Sequence, residues 1–130
     1  MVSRARVRAA TLATLKAERV KDAMVSITFV GRAAISELNR RYLGHRGVTD
    51  VISFGLDRPG KHGAVVGDIY ICPQVARDNA KRQDVSIGEE MLRLVVHGVL
   101  HVLGHDHPSG ASRTASPMWR RQERILARVL

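Results

Sequence analysis

Hydrophobic and polar positions along the 130-residue chain change period several times, and each change marks an element. The first two dozen residues are rich in Ala, Arg and Leu and contain neither Gly nor Pro, which predicts a helix with Leu12 and Leu15 on its buried side. From Met24 to Val30 the period falls to two, with Val25, Ile27 and Phe29 on one face and Ser26 and Thr28 on the other. That is a strand half-covered by the core. Ile35, Leu38 and Tyr42 return to helical spacing until Gly44 ends the run, and Gly44 to Asp50 is a loop by composition. Val51 to Phe54 is a short strand, Gly55 to Gly63 a hairpin-like connection and Ala64 to Cys72 the returning strand. Pro73 suits the first position of a helix that continues to about Arg82.

Ser86-Ile87-Gly88-Glu89 has the form of a capping box, and the helix it opens is apolar around most of its circumference from Leu92 to Leu103. Such a helix is buried. Residues 108–116, with Pro, Gly and several Ser, read as a flexible loop. Pro117 to Leu130 reads as a basic amphipathic helix carrying Trp119. No repeat, linker or break in composition divides residues 1–130, so one domain is expected. Its class is α+β: a small mixed sheet of three to four strands packed with about five helices, one of them central.

Bulk composition narrows the partners. A hydrophobic fraction of 45% is ordinary for a globular protein, and a single cysteine, Cys72, excludes an intramolecular disulfide and fits a reducing cytosol. The apolar run near Leu92 to Leu103 is too short to span a bilayer, and the Arg4, Arg6, Arg8 start lacks the apolar core of a secretory signal. A cytoplasmic protein with no membrane partner is expected. The 21 Lys+Arg against 12 Asp+Glu give a net charge of +9, which favours a polyanion such as nucleic acid. Aromatics at 4% argue against a base-stacking platform.

Four of the six histidines lie in His97-Gly98-Val99-Leu100-His101-Val102-Leu103-Gly104-His105-Asp106-His107. His97 and His101, four apart, share a helix face with Cβ atoms about 5–6 Å apart. Gly104 can end the helix in a left-handed conformation and return His107 over that face. Imidazoles gathered in a dry pocket leave donors unpaired or charges opposed unless a cation joins them. Three of them make a zinc site with an open fourth position, as expected of a catalytic metal. The spacing H-x-x-x-H-x-x-G-x-x-H is also that of the metzincin proteases, but the glutamate that serves them as general base is here Gly98. Peptide hydrolysis by that route is disfavoured.

The whole stretch resembles the signature H-G-x-L-H-L-x-G-Y-D-H of the YbeY family of endoribonucleases, rRNA maturation factors that bind one zinc through three histidines. Leu38-Asn39 with Tyr42, Thr49-Asp50-Val51-Ile52-Ser53-Phe54, Gly67-Asp68-Ile69, and Met118 with Glu123 match further blocks in the family's order. The resemblance implies zinc ligands His97, His101 and His107, with no small-molecule cofactor. It implies cleavage of single-stranded RNA in rRNA maturation, at the 16S rRNA 3′ end, and in ribosome quality control, with the ribosome or its small subunit as partner. His105 stands where the family usually has Tyr and is expected to line the pocket; Asp106 reads equally as a turn-maker or as a carboxylate orienting a histidine.

Three departures qualify the match. Leu43 stands where many members carry an arginine, so Arg46, or Arg40 and Arg41, are the candidates for contacting RNA. The strand that usually precedes the first helix is missing unless residues 2–6 pair at the sheet edge. Residues 109–116 are Ser-rich where members are commonly acidic. A zinc-bound hydroxide either attacks the phosphodiester or deprotonates the ribose 2′-OH. The competing readings are a zinc-stabilised RNA- or ribosome-binding assembly factor with little catalysis and, less favoured, a metallopeptidase.

Overall fold

The computed structural model describes residues 2–56, 63–106, 114 and 116–130. In chain order the elements are α1 (Arg4–Ala17), β1 (Ala23–Phe29), α2 (Arg32–Leu38), a π-helical turn (Asn39–Leu43), β2 (Val51–Gly55), β3 (Val65–Ile71), α3 (Pro73–Gln83), α4 (Ile87–Val102) and α5 (Pro117–Val129). The three strands form one mixed sheet in the order β1-β3-β2, with β1 parallel and β2 antiparallel to the central β3. Among the described residues, five helices and a three-stranded sheet give the α+β class expected. Residues 2–6 do not pair at the sheet edge, because Ser3 caps α1 by accepting from the Arg6 N–H at 3.2 Å. No helix among the described residues is long and apolar enough to cross a membrane.

The centre of the fold is α4. Every residue from Glu90 to Leu100 is buried, and Leu92, Val95, Val96, Val99 and Leu100 are fully so. Ser86 starts the helix by accepting from the Glu89 N–H at 3.0 Å, as its cap sequence predicts. Three glycines let it lie close on the sheet. A Cβ on Gly98 would stand 2.8 Å from Ile69 Cγ2, one on Gly67 2.5 Å from Val102 Cγ1, and one on Gly55 2.9 Å from the Val102 carbonyl oxygen. Gly55 and Gly67 are partners in the β2–β3 register, so together they seat the C-terminal end of α4. That end is a Schellman turn: the Gly104 N–H donates to the His101 carbonyl at 2.9 Å, the His105 N–H donates to Leu100 at 3.0 Å, and Gly104 has φ +99°.

Three expected burials are corrected. Leu12 is half exposed, because α1 turns Val7, Ala10 and Thr14 to the core. The small Ala10 and Thr14 permit close packing on α4 and α5, and the Thr14 hydroxyl is satisfied by the Ala10 carbonyl at 2.8 Å. Tyr42 is exposed because the π turn widens the spiral after Leu38 and carries the ring away from the Ile35 face. Phe29, at the outer end of an edge strand, is also exposed.

Candidate functional site

His97 and His101 project from one face of α4, as their spacing requires. Their ring centroids are 4.7 Å apart with planes at 67°. His97 is buried and His101 half-buried. The Nδ1 of His97 lies 2.6 Å from the Oε1 of Gln122, a fully buried side chain of α5. Two imidazoles from successive turns in contact, one with its Nδ1 engaged by an amide, fit the donor set of a zinc ion. His107, the third expected ligand, lies outside the described residues, as does most of the segment 108–116; among the described residues no three ligating side chains gather.

Two adjoining clefts meet at this pair. One, of about 540 Å³, passes from Thr49, Asp50 and His97 over Arg93, Trp119 and Gln122. The other, of about 310 Å³, shares Thr49, Asp50 and His97 and continues past Leu43, Ser53 and His101. The Thr49-Asp50 wall is pinned to the body of the fold. The Asp50 carbonyl accepts from the Cys72 N–H at 2.9 Å, and its carboxylate accepts from the Asn79 amide at 3.0 Å.

A dense charge cluster backs the larger cleft. Arg93, on α4 one turn before His97, donates to Glu90 at 2.9 Å, to Glu89 at 3.0 Å and to Glu123 through two nitrogens at 3.0 Å each. Burial pushes the Glu90 carboxyl above its ordinary range, against the pull of Arg93. Burial works against the Arg93 charge as well, but its three carboxylate partners win and raise its affinity for the proton. This guanidinium, committed to three acids, is an anchor within the fold rather than a phosphate clamp.

The other expected residues are dispersed. Gly98 faces β3 rather than the cleft. His105, expected to line the pocket, instead hydrogen-bonds to Glu18 at the end of α1, which also accepts from Arg121 of α5, and it lines neither cleft. The turn after Gly104 gives it that direction. Asp106 is exposed. Arg40, Arg41 and Arg46 are exposed around the loop that carries Leu43, and Arg40 is paired with Glu37 at 2.6 Å. Gln122, Arg93 and Glu90 escaped the sequence reading. A buried glutamine on an amphipathic helix carries no local signal, and Arg93 with Glu89 and Glu90 reads as an ordinary solvated ladder at helical spacing.

Residues 3–130 match the profile of the family described as Endoribonuclease YbeY. Of the proteins bearing that name, the one from Staphylococcus carnosus is 42% identical over 118 residues, covering 85% of this chain and 76% of its own. That of Anaeromyxobacter sp. is 41% identical over 126 residues, 95% of this chain and 63% of its own. That of Beutenbergia cavernae is 45% identical over 93 residues, 66% of this chain and 62% of its own. The chain thus spans less than two thirds of the length of two of these three relatives. The solution structure of TM1509 from Thermotoga maritima aligns with a TM-score of 0.62 at 26% identity, covering 99% of this chain and 85% of that one.

Proposed function

Because the chain belongs to the YbeY family, we propose that it is a zinc-dependent endoribonuclease acting on single-stranded RNA in rRNA maturation. The observation that carries the reading is the pair His97 and His101, in ring contact on a buried helix where two clefts meet. His97, His101 and His107 would hold the metal. A zinc held there would supply Lewis acidity, activating water near neutral pH and stabilising charge on a phosphoryl oxygen. The chain's own residues do the positioning. The buried α4 fixes the two imidazoles, Thr49 and Asp50 wall both clefts, and Arg41 and Arg46 on the exposed loop supply cations for the RNA backbone. Processing at the 16S rRNA 3′ end, ribosome quality control and contact with the small ribosomal subunit belong to the same proposal.

The second reading is an RNA- or ribosome-binding factor with little catalysis. It is favoured by Leu43, which lines the smaller cleft where many members carry an arginine. A metallopeptidase is disfavoured on packing as well as chemistry, since position 98 has no room for a glutamate beside Ile69.

Single-turnover cleavage of a single-stranded RNA by zinc-loaded protein separates these readings. Cleavage is expected, with His101→Ala reducing the rate by at least about 10³-fold while far-UV circular dichroism stays helical. Retained cleavage by that variant defeats the metal mechanism; zinc and RNA binding without cleavage in the wild type selects the binding factor. Cleaved 2′,3′-cyclic phosphate ends identify the 2′-OH as nucleophile, and 5′-phosphate ends exclude it.

A further inference from the structure

Gln122 is the one polar side chain that α5 sends fully buried against α4, and its two ends face different chemistries. Its Nε2 donates to Glu123 Oε2 at 3.0 Å, while its Oε1 lies 2.6 Å from His97 Nδ1. An ionised carboxylate only accepts, so the end of the amide facing Glu123 is the NH2 group and the end facing His97 is the oxygen. An amide oxygen also only accepts, so the hydrogen of that short contact resides on His97 Nδ1. The opposite amide orientation would set an oxygen of a side chain that is only 1% exposed against the Glu123 carboxylate. Glu123 is itself fixed, gripped by Arg93 through two nitrogens, and Arg93 is held in turn by Glu89 and Glu90.

We propose that Gln122 is a positioning residue that locks His97 in the Nδ1-protonated tautomer and so presents Nε2 to the metal, with the Arg93–Glu123 ion pair fixing the orientation of the amide. This deepens the metal reading above and rests on it only for the identity of the ion. The last helix thereby becomes part of the metal centre without contributing a ligand. The charge cluster gains a purpose beyond stability, because it sets the direction of one hydrogen bond at its far end. Removing an outer hydrogen-bond partner of a metal-binding histidine typically lowers affinity about 10–100-fold.

The test uses two readouts. In the metal-free wild-type protein at slightly alkaline pH, nitrogen-15 NMR of the imidazole rings should show His97 protonated at Nδ1. In Gln122→Met, matched in length but at most a weak acceptor, and in Glu123→Gln, which removes the charge that orients the amide, a mixture of tautomers should appear. Zinc affinity, measured by competition with a chromophoric chelator, should fall about 10–100-fold in Gln122→Met. A His97 signal protonated at Nε2 in the wild type overturns the proposal, as does zinc affinity in Gln122→Met within about twofold of wild type. Should Gln122→Met fail to fold, the wild-type spectrum decides alone. A wild type that binds no zinc defeats the metal reading, whereas the metal-free spectrum still judges the lock.

Discussion

One guanidinium cannot neutralise three carboxylates, and in the cluster of Arg93 with Glu89, Glu90 and Glu123 the buried Glu90 is the member whose charge is least secure. It is 2% exposed, and burial raises its pKa despite the Arg93 hydrogen bond and the Asn79 amide nearby. The folded state therefore holds this proton more tightly than the unfolded chain does. The resulting stabilisation is fully present below the ordinary glutamate value of 4.5 and is lost as pH rises through the raised folded value. Glu90→Gln removes that titration while keeping the shape. Urea unfolding of both proteins at about pH 4 and about pH 7 should show the balance of stability moving toward Glu90→Gln as pH rises. A shift in the opposite direction would mean that Arg93 holds Glu90 ionised at no cost. The same cluster explains why Arg93 is a poor candidate for gripping phosphate, since its donors are spent inside the protein.

At the scale of elements, the contact that sets the site is the close approach of α4 to the sheet. Gly98→Ala tests it, with two effects opposed. Alanine favours the helix over glycine by about 1 kcal/mol. Against this, the new methyl would meet three atoms of Ile69 at 2.8, 3.1 and 3.3 Å, and Ile69 is fully buried on the central strand with no room to swing aside. Overpacking of that kind typically costs about 1–3 kcal/mol, so a net loss of stability and a lowered melting temperature are expected. Equal or greater stability would show that α4 and β3 can separate without strain. Much of this architecture was legible beforehand. The alternation of β1, the Pro73 start of α3, the apolar circumference of α4, the Ser86 cap and the Gly104 turn each lie in local patterns, and local chemistry realises them. What escaped reading depends on tertiary contacts. The buried stripe of α1 runs through Ala10 and Thr14 because a close helix contact selects small residues over Leu12. The displacement of Tyr42 comes from a π turn that no spacing announces. The histidine pair was legible because its chemistry is concentrated in one turn of helix, whereas Gln122 reaches it from 25 positions away along the chain.

For the whole molecule the net charge of +9 is the term that acts at a distance. It draws a polyanion to the surface, but the cations that take part are those whose charge is not already used. Arg93 is enclosed by carboxylates and Arg40 is paired with Glu37, whereas no ion pair among the described residues engages Arg41 or Arg46. These two flank Leu43 in sequence, and Leu43 lines the smaller cleft, so they stand on the loop that an RNA entering it would pass. Each phosphate contact to single-stranded nucleic acid contributes roughly 0.7 to the slope of log affinity against log salt. The double variant Arg41→Ala/Arg46→Ala should therefore flatten that slope by about 1.4 and weaken binding with little regard to sequence. Arg40→Ala should change it by less, because that guanidinium is committed to Glu37 and is not free to make a phosphate contact. Fluorescence anisotropy with a labelled single-stranded RNA, titrated between about 50 and 200 mM potassium chloride, measures all three slopes. An unchanged slope in the double variant would remove this loop from the RNA path and leave the attraction to arginines elsewhere on the surface.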